Sequence, residues 1–157
     1  MATKTNAVRL VQQAGIPCRE AFYEFDEQDL SGVHAAQAVG MPEEQVFKTL
    51  VARGEKTGIN VFCIPVCCEL DLKKAAKAAG DKNMELVAVK ELLGLTGYIR
   101  GGCSPVGMKK CYPTFIDETC TLWDEIAVSA GARGHQMIVP PQPLADLVGA
   151  ELTDIIV

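Results

Sequence analysis

Residues 47–66 read Phe47-Lys-Thr-Leu-Val-Ala-Arg-Gly-Glu-Lys-Thr-Gly-Ile-Asn-Val-Phe-Cys-Ile-Pro-Val66. Two apolar, β-branched runs, 47–53 and 59–66, flank Gly-Glu-Lys-Thr-Gly, the pattern of a β-hairpin. Upstream, residues 5–14 have the spacing of a helix with Thr5 as N-cap and Gly15 and Pro17 as stops. Residues 19–25 hold three aromatics and read as a strand. A polar loop over 26–32 leads into a helix over 33–39, closed by Gly40, and Pro42 starts a further helical turn.

Downstream, residues 71–79 form a helix that sets Leu72, Ala75, Ala76 and Ala79 on one side, with Gly80 as its cap. A strand over 85–88 and a helix over 90–95 follow. Three more strands fall at 114–117, 126–129 and 136–139, the last two joined by Ala-Gly-Ala-Arg-Gly. A helix over 143–148 ends at Gly149. Strands come both as hairpins and between helices, without regular βαβ alternation. The expected fold is therefore α+β, a curved, open barrel-like mixed sheet with surrounding helices.

Length and composition bound the function. A chain of 157 residues, 48% hydrophobic and 22% charged, is expected to be one globular domain spanning 1–157. Its apolar runs are too short to cross a bilayer, and the start lacks a secretory signal's apolar segment, so a cytoplasmic location is expected. The seven cysteines are odd in number, show no C-x-x-C pair and mostly lie in apolar patterns. That favours reduced, buried thiols over a metal site, and no cofactor motif is complete. A net charge of −5 argues against unaided nucleic-acid binding; RNA would need a local patch or a partner.

The most conspicuous loop is 97–110, Gly-Tyr-Ile-Arg-Gly-Gly-Cys-Ser-Pro-Val-Gly-Met-Lys-Lys. It would either make a long surface turn or hold backbone amides against a ligand, with Arg100, Lys109 and Lys110 nearby. It fails as a nucleotide loop: Met108 precedes Lys109, Lys110 stands where Ser or Thr is required, and Pro105 removes an amide. Cys103 could be a nucleophile with His135 as base, or only a packing thiol. Lys48 is the other unusual residue. Strand alternation puts it on the side of Val46 and Leu50, where it either lines a pocket or is simply solvated.

These residues carry a resemblance. The segments 47–51, 70–77, 97–110 and 128–134 and the closing run 147–154 resemble the YbaK/EbsC family, in order and with family-like spacing from about residue 8 onward. The resemblance implies a freestanding aminoacyl-tRNA deacylase, related to the editing insertion of prolyl-tRNA synthetase. It implies action on cysteine attached to tRNA(Pro) or tRNA(Cys), with the substrate's own thiol attacking its ester to give a thiolactone. By position, Lys48 matches the required lysine, and Gly101, Gly102, Ser104, Pro105 and Gly107 match the loop around the ester. Tyr23 matches a pocket tyrosine; Ser129, Gly131 and Arg133 fall in a second glycine-containing turn. Gln136 stands where some members carry an acid. The amides from Gly101 to Ser104 would stabilise the oxyanion, and no metal or cofactor is implied. The aminoacyl-tRNA acceptor end is the expected ligand, met by a basic rim of Lys73, Lys74, Lys77, Lys109 and Lys110. Prolyl-tRNA synthetase is the expected partner in a ternary complex. Rival readings are removal of another small amino acid such as alanine, or a non-catalytic binding module.

Overall fold

In the computed structural model, which describes residues 4–157, the order is α1 (Asn6–Gln13), β1 (Arg19–Phe22), α2 (Gly32–Val39), β2 (Phe47–Gly54) and β3 (Gly58–Pro65). Then come α3 (Leu72–Ala79), β4 (Met84–Leu86), α4 (Val89–Thr96), β5 (Thr114–Asp117), β6 (Ile126–Ala132), β7 (His135–Val139), α5 (Pro141–Val148) and β8 (Glu151–Thr153). Single helical turns occupy Glu43–Gln45 and Glu118–Leu122.

The hairpin is the longest ladder in the fold, running from Phe47 opposite Pro65 to Gly54 opposite Gly58. It sits at the centre of a mixed sheet ordered β4-β2-β3-β5-β8, in which β3, β5 and β8 are parallel. A second, antiparallel sheet is ordered β1-β7-β6. The expected mixed sheet is thus realised in two parts. They meet where Val46, just before β2, makes a parallel bridge to Ala127 of β6.

Period-two alternation in the strands decides what each helix covers. Phe62 and Ile64 point toward α3, where they pack with Ala52, Ala75 and Phe115; the Phe62 and Phe115 rings stack at 5.3 Å. Val61 on the opposite face packs with Val51 beneath α4 and Tyr98. On the second sheet, Val128, Met137 and Val139 bury against Val8 and Val11 of α1 and Leu144 of α5. The reverse face of that sheet, through Ala127 and Ile138, packs with Val46 and Ala36 of α2.

Helix ends follow the sequence signals. Asp71 accepts from the Lys73 and Lys74 amides, and Gly40, Gly80 and Gly149 close their helices in the left-handed conformation. Several expectations are corrected. The strand expected over 19–25 stops at Phe22, which is 56% exposed, and Tyr23 adds one more bond to the Gly134 carbonyl. Leu72 is 42% exposed rather than buried with the alanines, because it occupies the first turn of α3, beyond the sheet. The strand expected over 85–88 is shifted to Met84–Leu86, and β8 lay inside a stretch with no strand signal. No helix among the described residues is long and apolar enough to cross a membrane.

Candidate active site

The seam between the two sheets opens into a cavity of about 90 Å³. One wall is the start of β2, with Phe47, Lys48 and Thr49; the facing wall is Ser129 of β6 and Gln136 of β7. Tyr23, at the end of β1, and Gly101 and Cys103, from the glycine loop, complete the contact with these walls. Alternation sends Gln136 and Ser129 to this side and His135 to the other. Gly32, Ala35 and Val66 fill the base, three small or apolar residues that no sequence signal had singled out. A side chain at Gly32 would run into Val66, the Cβ position lying 2.3 Å from Val66 Cγ1.

Of the residues singled out from sequence, Tyr23, Lys48, Gly101, Ser129 and Gln136 therefore converge on one cavity. Gly102 lies behind it. A Cβ there would sit 3.1 Å from the Ala132 carbonyl carbon and the Arg133 nitrogen, so glycine lets the loop rest on the β6–β7 turn. Gly101 adopts φ +86°, a conformation that side chains disfavour. Arg133 closes the junction: its Nε donates to the Arg100 carbonyl at 2.9 Å. Ser104 is fully buried and its Oγ accepts from the Val106 amide at 3.2 Å, which shapes the turn rather than the cavity wall. Pro105 and Gly107 line a different hollow, beside Leu10 and Tyr112. Tyr98 braces the loop by donating to the Val106 carbonyl.

The loop's amides divide into used and free. The Gly102 N–H is spent on the Ile99 carbonyl at 2.9 Å, whereas those of Gly101 and Cys103 have no partner among the described residues. Two unspent donors thus flank the cavity at the residues that line it. Gln136 is buried and its Oε1 has no hydrogen-bond partner among the described residues, an orphan that costs free energy unless a ligand engages it. Ser129 Oγ accepts from the Gly131 amide at 3.1 Å, leaving its own proton to donate. Lys48 stands at the rim, where it also borders two neighbouring grooves.

The cysteine–histidine pair is not assembled. Burial pushes the Cys103 thiol up to about 11, only partly offset by a hydrogen bond with Thr96, so it stays protonated at neutral pH. His135 faces the other side of β7, stacked on Phe22 at 4.2 Å and hydrogen-bonded to Glu20 at 2.9 Å. Among the described residues, no histidine or carboxylate lines the cavity. Of the expected basic rim, Lys74 is engaged elsewhere: its Nζ contacts Asp154 at 2.9 Å and the Ile156 carbonyl at 2.8 Å. Lys73, Lys77, Lys109 and Lys110 are exposed.

The profile of the aminoacyl-tRNA editing domain matches residues 30–147. A protein of Enterococcus faecalis assigned as a Cys-tRNA(Pro)/Cys-tRNA(Cys) deacylase, EbsC, is 45% identical over 152 residues, 97% of this chain and 93% of that protein. A solved structure described as a trans-editing enzyme for prolyl-tRNA synthetase is similar at a TM-score of 0.80 and 28% identity, with 99% of each chain covered. A hypothetical protein, APE2540, shares the fold at a TM-score of 0.85 and 21% identity, covering 95% of this chain and 97% of its own.

Proposed function

Because this chain belongs to the aminoacyl-tRNA editing family, we propose that it is a cytoplasmic deacylase that frees tRNA(Pro) and tRNA(Cys) of cysteine. In this reading residues 1–157 work as one editing unit.

The observation that carries the chemistry is a small cavity bordered by free amides whose described lining holds no histidine or carboxylate. The cavity is the smaller of the two hollows that Lys48, Thr49, Gly101 and Cys103 border, and its walls of Phe47, Val46, Ala35 and Val66 suit a small side chain. With no histidine or carboxylate on its walls to activate water, and its one thiol protonated, the nucleophile is best supplied by the substrate. The cysteinyl sulfur attacks its own carbonyl carbon, the bond from that carbon to the ribose oxygen breaks, and the thiol proton ends on that oxygen. The products are free tRNA and a cyclic thiolactone, which water then opens. Holding thiol and ester together supplies the acceleration, since intramolecular attack avoids the entropy of bringing two reactants together.

Lys48 holds the aminoacyl end and favours the negative charge that develops. The Gly101 and Cys103 amides take the oxyanion, each donor contributing about 3 kcal/mol. Gln136 offers its unpartnered carbonyl to the α-ammonium of the substrate, a neutral acceptor in place of an acid. Tyr23 and Ser129 orient the side chain from the facing wall.

With a net charge of −5 and Lys74 tied to the C-terminal segment, tRNA affinity is weak alone. Prolyl-tRNA synthetase therefore presents the substrate in a ternary complex. The cavity would also admit an alanyl methyl group, so specificity is tested directly. Deacylation of Cys-, Ser- and Ala-tRNA(Pro) should be rapid for cysteine and slow for serine and alanine. Faster removal of alanine would replace the thiol route by hydrolysis, and inactivity on all three would leave a binding module. Added synthetase should raise the rate at low enzyme concentration; an unchanged rate removes it as a partner.

A further inference from the structure

The ester cavity is not closed. Through Lys48, Thr49, Gly101 and Cys103 it shares a wall with an apolar groove of about 260 Å³, nearly three times its size. Leu86 at the end of edge strand β4 and Val89 at the start of α4 form the groove's outer flank, with Leu92 behind them. Leu86 is 49% exposed and Val89 59%. Among the described residues, the groove's ionisable lining apart from the buried Cys103 is Lys48 and Arg100, with no carboxylate, in a chain whose net charge is −5.

We propose that this groove receives the 3′-terminal adenosine of the acceptor end, with its base on the aliphatic flank and the adjoining phosphodiester against Arg100. The inference rests on the deacylase reading, and covalent geometry drives it. The leaving oxygen belongs to the terminal ribose, so the nucleoside lies one bond beyond the carbonyl assigned to the Gly101 and Cys103 amides. In that reading the smaller cavity, about 90 Å³, is taken up by the aminoacyl group. The hollow beside Pro105 and Gly107 shares no lining residue with that cavity, and the groove past Leu70 and Leu72 touches it only through Lys48 and includes Glu69. Bases tolerate any flat apolar or guanidinium surface, and a phosphodiester calls for the cation that an apolar protein partner would not need.

Two measurements test it. Val89→Asp puts a charge on an exposed side chain, so the fold is kept. It should raise KM for Cys-tRNA(Pro) about tenfold or more while leaving cleavage of cysteine methyl ester, which has no nucleoside, unchanged. Separately, AMP titrated into the wild-type protein should shift the methyl resonances of Leu86, Val89 and Leu92, and Val89→Asp should abolish the response. The proposal is overturned by an unchanged KM, by equal losses on both esters, by an effect seen only with prolyl-tRNA synthetase present (a protein-docking surface), or by no response to AMP. If the wild type cleaves neither ester, the deacylase reading falls, and the AMP titration still decides the groove.

Discussion

Gly102→Ala puts the oxyanion assignment to the test. The new methyl carbon would stand 3.1 Å from two backbone atoms of the β6–β7 turn and 3.2 Å from a third. Carbon contacts are comfortable at about 3.5 Å and beyond, so the shortfall is about 0.4 Å. The turn is fixed by the pairing of Ala132 with His135, and the loop gives instead. Gly101 and Cys103 flank the substituted residue, so their free amides move with it. A donor shifted from about 2.9 to about 3.3 Å of the oxyanion forfeits roughly half of its ~3 kcal/mol, which is about tenfold in kcat. If both amides retreat, the loss reaches about a hundredfold. Overpacking of this kind costs about 1 kcal/mol of stability, a Tm decrease of about 2–4 °C. Single-turnover deacylation of Cys-tRNA(Pro) separates kcat from KM, which should hold. Gly58→Ala is the control: it carries φ +73° at the far end of the hairpin from Lys48, so it should lower Tm without touching kcat. Wild-type kcat in Gly102→Ala would refute the assignment of these amides as oxyanion donors.

Other outcomes follow from the same geometry. Lys48→Ala should nearly abolish deacylation with an unchanged circular dichroism spectrum; full activity would remove Lys48 from the mechanism. Cys103→Ser should retain most activity, and the wild-type thiol, held up at about 11, should resist alkylation at pH 8. A dead variant would restore the protein-nucleophile route. Asp81 is opposed by desolvation, yet amides of Thr57, Lys82 and Lys56 and the Thr57 hydroxyl hold its carboxyl well below the usual range. A carboxyl depressed in the folded state contributes stability above its unfolded pKa of about 3.9 and loses it as pH falls below that. Asp81→Asn should therefore lower the urea midpoint at pH 7 and flatten its acid limb; parallel acid limbs would contradict this.

The local signals were strong where backbone chemistry is local. The β-branched runs on either side of Gly-Glu-Lys-Thr-Gly specify the hairpin, and glycines at 40, 80 and 149 specify three helix ends. Strand β8 left no such mark: Glu151, Leu152 and Thr153 pair in parallel with β5, a contact made from outside the segment. The division into two sheets was equally hidden, since it depends on Val46 meeting Ala127 across 81 positions of chain. At the site, Lys48 was legible as a cation in an apolar strand. Cys103 was noticed but its setting was not, because burial is a tertiary property. Gly32, Ala35 and Val66 offered only size. The difference between the Gly102 amide and its neighbours lies in one turn bond to Ile99, which glycine content cannot reveal.

The Val46–Ala127 bridge has a mechanical consequence. The cavity walls belong to two separately hydrogen-bonded sheets, so its width is an angle between bodies before it is a matter of any lining side chain. A rotation of one sheet about that bridge changes the gap at Gln136 while both ladders stay intact. Ala36 and Ile138, which pack against the bridging Val46 and Ala127, act as shims. Exchanging an alanine there for a larger residue would retune which side chains enter, from positions that never touch the substrate.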